Sequence, residues 1–136
     1  MKIVLDTNVV VSGLLQPFGP SGEIIRMVSA GALSVYFDTR IILEYEDVLA
    51  RPKFHFNPNA VHDFLEFLKI NGELVTGHPQ KVALSDPNDE MFVEIAMAGS
   101  VDCLITGNIK HYLGANALGV KILSPKDFIE WYKKKR

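Results

Sequence analysis

The stretch MKIVLDTNVV (residues 1–10) decides the fold of this chain, because an apolar run ends abruptly on a carboxylate. Residues 2–5, KIVL, have the apolar content of a buried strand apart from Lys2. Asp6 follows directly, and an ionised carboxylate at the edge of a core is costly unless something compensates its charge. Two explanations are open here: the Asp6 side chain caps a turn, or it faces something cationic.

Short β-rich runs alternate with helical patterns along the rest of the chain. The later strands are predicted at residues 33–37, 73–76, 102–106 and 120–123. Helices are predicted over residues 21–31, 39–51, 58–70, 87–98 and 124–134. Strands separated by helices indicate right-handed βαβ crossovers, and therefore an α/β protein whose mainly parallel sheet is covered on both faces.

The bulk properties predict one globular domain over residues 1–136, with 48% hydrophobic and 22% charged residues. No apolar run approaches the ~20 residues of a membrane helix, and residues 1–5 resemble a strand rather than a secretory signal. We therefore expect a cytoplasmic protein with no membrane partner. The lone Cys103 cannot form an internal disulfide, and we expect it in the core. A net charge of −2 means that any nucleic acid must be held by local basic patches.

Three carboxylates fall at the margins of the predicted core on three separate elements. Asp6 follows the first strand, at the sheet edge where ligands of parallel sheets bind. Glu44 borders the apolar stripe of its helix, and Asp89 lies on the buried side of the helix predicted over 87–98. Taken singly, each has an ordinary explanation: Glu44 can reach solvent from the core margin, and Asp86 and Asp89 can cap a helix start.

Taken together, the three carboxylates indicate a metal site. If they met in one cleft without a cation, they would repel each other and raise one another's pKa values. A divalent cation removes that repulsion, and oxygen ligands suit Mg²⁺ or Mn²⁺. The four histidines show no paired spacing, and with a single cysteine this argues against a zinc site.

Three segments of the sequence resemble, in this order, the blocks of PIN-domain proteins. The segments are MKIVLDTNVVVSGLL (1–15), ILEYEDVLARPKF (42–54) and DPNDEMFVEIAMAGSVDCLITGNIKHY (86–112). The branch they resemble most is that of the VapC-like toxins of prokaryotic toxin–antitoxin pairs, and the resemblance covers nearly the whole chain. It implies a three-layer α/β/α sandwich that hydrolyses RNA phosphodiester bonds with Mg²⁺ or Mn²⁺ held by an acidic cluster.

The acidic positions of that family match this sequence one by one. Asp6 takes the first position, Glu44 the second and Asp89 the third, which makes these three the expected catalytic and metal-binding residues. Asp86 is a further metal-ligand candidate whose role the sequence does not separate from helix capping. The fourth family position, often aspartate, is Asn108 here. Its amide oxygen can still act as a ligand, but it carries no charge and weakens the case for a second metal.

The resemblance also implies supporting and RNA-contacting residues. Asn8 and Thr106 would hold backbone turns or hydrogen-bond the metal ligands. Because RNA must approach a negative cleft, nearby cations are needed, and the candidates are Arg51, Lys53 and Lys110. Each of the three has an equally good explanation as a solvated surface cation.

The expected partners are an RNA substrate, a cognate antitoxin protein that would block the cleft, and a second copy of the chain in a homodimer. Two other classes stay open. One is phosphoryl transfer onto Asp6, although the phosphatases with that chemistry usually carry a second aspartate where this chain has Asn8. The other is a catalytically weak or inactive PIN-like domain that binds RNA or protein, with Asn108 as the sign of lost activity.

Overall fold

The computed structural model of the chain describes residues 1–76, 84 and 86–135. Within these residues five strands form one sheet: β1 (Lys2–Leu5), β2 (Ser34–Phe37), β3 (Glu73–Leu74), β4 (Cys103–Ile105) and β5 (Ile122–Leu123). They lie in the order β3-β2-β1-β4-β5, and neighbouring strands pair in parallel. The predicted parallel sheet is therefore confirmed, with β1 as its central strand.

Helices flank this sheet, as predicted. The described α-helices are α1 (Thr7–Leu15), α2 (Pro20–Ser29), α3 (Thr39–Leu49), α4 (Pro58–Asn71), α5 (Glu90–Ala98) and α6 (Pro125–Lys135). Three 3₁₀ segments accompany them, at Pro52–Phe54, Pro87–Asp89 and Ile109–Leu118. In the described part of the chain, none of these helices has the length and apolar character needed to cross a membrane.

Two elements were not predicted from the sequence, and a third differs in detail. Helix α1 contains three consecutive valines, whose β-branched side chains disfavour a helix, but its close packing against α2 stabilises it. The Ile109–Leu118 segment is also helical, with a kink at Tyr112. The helix predicted over 87–98 begins as the 3₁₀ turn Pro87–Asp89 before α5.

The centre of the sheet is where β1 lies, and its sequence accounts for that position. Ile3, Val4 and Leu5 are fully buried, whereas Lys2 at the start of the strand is exposed. Cys103 in β4 is buried beside them, and burial raises the pKa of its thiol to about 12. The Asp6 N–H donates to the carbonyl of Ile105 at 3.0 Å, which extends the β1–β4 pairing by one residue beyond the strand. The carboxyl ends of β1 and β4 therefore lie side by side.

Helix α1 can approach α2 closely because glycines lie at their contact. A Cβ atom on Gly13 would lie 2.5 Å from Ile25 Cγ1 and 2.8 Å from the Ser21 carbonyl oxygen. A Cβ atom on Gly22 would overlap the backbone carbonyl of Pro17. Because α1 begins directly after Asp6, this packing also fixes where the first turn of α1 stands.

We expect Gly22→Ala to destabilise the protein by about 1–3 kcal/mol, because the added methyl group meets rigid backbone rather than a movable side chain. Chemical denaturation followed by circular dichroism measures this loss. The matched control is Gly19→Ala in the same turn, where the nearest atom to the new Cβ, the Gln16 carbonyl oxygen, is 3.6 Å away. Equal losses in the two variants would contradict the packing argument.

Candidate functional site

A buried carboxylate stands at the carboxyl end of β1. Asp6 is only 5% exposed, and its Oδ2 accepts hydrogen bonds from the hydroxyl of Thr106 at 2.7 Å and the hydroxyl of Tyr112 at 3.1 Å. The amide nitrogen of Asn8 lies 3.4 Å from the same oxygen. No side-chain capping hydrogen bond joins Asp6 to α1, and its two hydroxyl donors, Thr106 and Tyr112, come from other elements.

The first turn of α1 connects this carboxylate to its surroundings. The hydroxyl of Thr7 donates to Glu44 Oε2 on α3 at 3.0 Å. Asn8 uses its carbonyl oxygen to accept from the N–H of Gly107, in the loop after β4, at 3.2 Å. The same turn therefore holds the Glu44 carboxylate on one side and the loop after β4 on the other.

These groups line a pocket of about 380 Å³, which we call the acid pocket. Four of its lining residues are carboxylates, from three distant parts of the chain: Asp6, Glu44, and the neighbours Asp86 and Asp89. Arg51 also lines it and brings a cationic side chain to the same surface. The structure thus places all three of the proposed catalytic carboxylates, and the neighbouring Asp86, on one pocket.

The other sequence-predicted residues lie differently. Thr106 and Asn8 contact Asp6 directly, as described above. Lys53, Lys110 and Asn108 are exposed and are not among the described residues that line the acid pocket. Asn108 is connected to the site through its backbone, since its N–H donates to the Thr106 hydroxyl at 3.0 Å.

The two aspartates before α5 separate into different roles at this helix start. Asp86 accepts a hydrogen bond from the Asn88 N–H at 3.0 Å and so caps the 3₁₀ turn while also lining the pocket. Asp89 makes no capping hydrogen bond with its side chain. Helix capping therefore accounts for Asp86 but not for Asp89.

Two carboxylates of the pocket, Asp6 and Asp89, are harder to ionise than an ordinary aspartate. Burial raises the pKa of Asp6, and the hydrogen bonds from Thr106 and Tyr112 only partly oppose that rise. The pKa of Asp89 is raised first by burial, then by the charges of Asp6 and Asp86, and His111 partly opposes the rise. The contribution of neighbouring charges to the shift of Asp89 is the one expected where negative charges gather without a cation.

The oxygen atoms of the pocket suit a hard divalent cation. Asp89 Oδ2 is buried and receives no well-directed hydrogen bond from the described residues, although His111 Nδ1 lies 3.3 Å away. A cation would satisfy this oxygen and neutralise its neighbours. Within residues 1–76, 84 and 86–135, however, no three His, Cys, Asp or Glu side chains are arranged to hold an ion together. Binding by three of the carboxylates would require their side chains to turn toward one another.

Two tyrosines that the sequence pattern did not single out as site residues support this site. Tyr112, fully buried, donates to Asp6; burial raises its pKa, and Asp6 and Asp89 raise it further, so the hydroxyl remains a donor. Tyr45 donates to the Leu5 carbonyl at 2.5 Å and so fixes α3, which carries Glu44, against β1. The sequence could have indicated these two residues on chemical grounds, because the hydroxyl group of a buried tyrosine needs a hydrogen-bond partner.

Comparison with known proteins gives two matches. A family profile described as "PIN domain" matches residues 2–110. A protein of Methanocaldococcus jannaschii described only as uncharacterized is 25% identical over 144 aligned positions, which cover 98% of this chain and 93% of that protein.

We expect Asp89→Asn to raise the melting temperature of the metal-free protein by a few degrees at pH 7.5. The pKa of Asp89 is raised above its ordinary value of 3.8, so its ionisation opposes folding at neutral pH. That cost disappears below pH 3.8, where the carboxyl is protonated in both the folded and unfolded states. The two proteins should therefore melt alike at about pH 3.5.

Thermal melts in the presence of a chelator measure this difference. Asp63→Asn, on the exposed face of α4, is the control and should leave the melting temperature unchanged at both pH values. A lower melting temperature for Asp89→Asn at pH 7.5 would show that Asp89 stabilises the fold instead.

Proposed function

The chain belongs to the PIN domain family, whose fold is of the nuclease type, and on this premise we propose that the protein is a ribonuclease dependent on Mg²⁺ or Mn²⁺. Its reaction is the hydrolysis of RNA phosphodiester bonds within the strand. The proposed catalytic residues are Asp6, Glu44 and Asp89, with Asp86 and Asn108 as further candidates for contact with the metal.

One observation carries this proposal. Four carboxylates from three separate segments line a single pocket at the carboxyl end of β1, where parallel sheets place their ligands. Repulsion between them and the unsatisfied oxygen of Asp89 are both relieved by a divalent cation. A structural role explains Asp86, but it does not explain why Asp6, Glu44 and Asp89 converge.

The residues of the chain divide the work of the reaction. Asp6, Glu44 and Asp89 would hold the cation, which when bound supplies a water of lowered pKa and neutralises charge on the phosphoryl group. Thr106, Tyr112 and Asn8 fix the orientation of the Asp6 carboxylate through the hydrogen bonds described above.

Two further groups complete the proposed division of work. Thr7 fixes Glu44 in the same way that Thr106 fixes Asp6, through a hydroxyl donor. Arg51 is placed to contact a phosphate of the substrate because it lines the pocket and is exposed. Lys53 and Lys110 would contact phosphates further along the RNA strand.

The proposal extends to partners. Through its resemblance to the VapC-like toxins, we infer that the protein is the toxin of a toxin–antitoxin pair and that its antitoxin closes the acid pocket. A basic segment of the antitoxin would be complementary in charge to the four carboxylates of the acid pocket. A homodimer is part of the same proposal.

A second candidate function is a PIN-like domain with weak or no activity. Asn108 favours it, because an exposed neutral amide replaces the frequent fourth carboxylate and does not line the acid pocket among the described residues. Phosphoryl transfer onto Asp6 is less well supported. Its Oδ2 is buried and already accepts two hydroxyl hydrogen bonds, which disfavours attack by that oxygen.

Asp6→Asn and Glu44→Gln should each lower the rate of RNA cleavage in Mn²⁺ by about 100-fold or more, because each removes one charged ligand. Gel analysis of end-labelled RNAs, structured and unstructured, measures the rate. Mn²⁺ should also raise the melting temperature of the wild-type protein more than that of Asp6→Asn.

The matched control for this experiment is Asp63→Asn, which removes an exposed carboxylate on α4 and should cleave RNA as the wild-type protein does. Equal cleavage by the wild-type protein and Asp6→Asn would assign the activity to a contaminant or to another site. Absence of cleavage across the RNA panel would favour the inactive domain.

Induced expression of the wild-type chain in a bacterial host should arrest growth, because an unopposed ribonuclease depletes RNA. Asp6→Asn, expressed to the same level, should permit growth at the rate of an empty-vector culture. Growth curves and immunoblots measure the two quantities. Normal growth with the wild-type protein, at equal expression and with cleavage activity shown in vitro, would contradict the toxin role.

A further inference from the structure

The segment RPKFHF (residues 51–56) stands between the acid pocket and a second pocket. The second, which we call the apolar pocket, has a volume of about 310 Å³ and lies among the end of α3, this segment and α4. Arg51 lines both pockets. Phe54 lines the acid pocket and Phe56 the apolar pocket, and their rings stack on each other with centroids 5.6 Å apart. The two pockets are therefore neighbours separated by an aromatic pair.

The backbone of this segment supports that division. His55 has a φ of 54°, in the left-handed region that residues other than glycine seldom adopt. It lies between Phe54 and Phe56 and gives the chain the turn at which their side chains reach different pockets. Such a conformation costs energy, so the surrounding contacts must hold it in place.

Two cations, Arg51 and Lys53, precede the two phenylalanine rings of this segment. Arg51 is exposed, and its nearest carboxylate, Asp47, is itself exposed and lies 3.3 Å away. The Lys53 ammonium group lies 5.0 Å from the centroid of the Phe54 ring. Side chains of this kind bind single-stranded nucleic acid by holding phosphates with cations and stacking bases on aromatic faces.

The apolar pocket itself can receive a base. Its walls include Leu49, Val61 and Leu65 as well as Phe56, with His55 and His62 as polar edges. The two glutamates that also line it, Glu46 and Glu66, both lie against Lys69, at 3.3 and 3.2 Å. Because Lys69 offsets one of their two charges, the carboxylates of this pocket oppose an RNA strand less than the four of the acid pocket.

We propose that the apolar pocket is a base-binding subsite for single-stranded RNA, entered from the acid pocket past Arg51. The subsite rests on the proposed ribonuclease function and adds its substrate class. A base next to the cleaved phosphate packs against Phe56, while Arg51 contacts the phosphate that links it to the acid pocket. Duplex RNA does not fit this arrangement, since its bases are stacked within the helix.

The test is equilibrium binding of a fluorescently labelled single-stranded RNA oligonucleotide, measured by anisotropy in a chelator so that no cleavage occurs. A second probe has the same backbone but abasic residues in its centre. Phe56→Ala should weaken binding of the intact probe about five- to tenfold, in keeping with the loss of one stacked base, and leave the abasic probe unaffected. Arg51→Ala should weaken binding of both probes, because it removes a phosphate contact.

Two controls keep the result interpretable. Phe18→Ala removes an aromatic ring that is 98% exposed and remote from RPKFHF in the sequence, and it should change neither affinity. Phe56→Leu keeps an apolar side chain but removes the aromatic face, and with an unchanged melting temperature it should also weaken binding of the intact probe.

Several outcomes would overturn the subsite. They are unchanged affinity of Phe56→Ala for the intact probe, equal loss on both probes, tighter binding of duplex RNA, and no binding of the intact probe by the wild-type protein. Any of these results would indicate that the apolar pocket binds a protein segment, such as an antitoxin helix, instead of an RNA base. If the protein cleaves RNA in Mn²⁺ and Phe56→Ala binds the intact probe as tightly as the wild-type protein does, the subsite is wrong but the nuclease function stands. If RNA binding depends on Phe56 but no RNA is cleaved, the nuclease function is wrong but the subsite stands.

Discussion

The hydrogen bonds that two hydroxyl groups donate to one buried oxygen of Asp6 are the contact on which the rest of this site depends. Thr106 and Tyr112 reach that oxygen from β4 and from the kinked segment after it. The contact is possible because β1 and β4 are parallel neighbours, so that their carboxyl ends meet. It fixes a charge at the centre of the sheet, and the other carboxylates of the acid pocket are arranged around it.

The site brings carboxylates together at a cost in stability. Thr7 binds the Glu44 side chain, and Tyr45 holds α3 against β1. Burial raises the pKa of Asp6, and burial together with the charges of Asp6 and Asp86 raises the pKa of Asp89. An arrangement that opposes folding and serves no packing purpose is typical of a functional site. Arg51, just after the end of α3, lines both the acid pocket and the apolar pocket.

Much of the fold could be predicted from local patterns. The five strands and five of the six described α-helices lie where alternation and helical periodicity placed them, with ends differing by a few residues. Helix α1 was not predicted, because the valine-rich segment TNVVVSGLL has the propensity of a strand. Its contact with α2 stabilises it as a helix. The 3₁₀ segment Ile109–Leu118 was not predicted, because its apolar residues have almost no helical periodicity.

The sequence by itself determined which carboxylates lie at the margin of the core, because burial follows the local period of strands and helices. Asp6, Glu44 and Asp89 were found in that way. Only the tertiary structure decided what those carboxylates touch. Tyr112 donates to Asp6 across 106 residues of sequence, and Arg51 reaches the acid pocket whereas Lys110 lies outside its lining. Such contacts depend on the strand order β3-β2-β1-β4-β5, which an alternation of strands and helices does not specify.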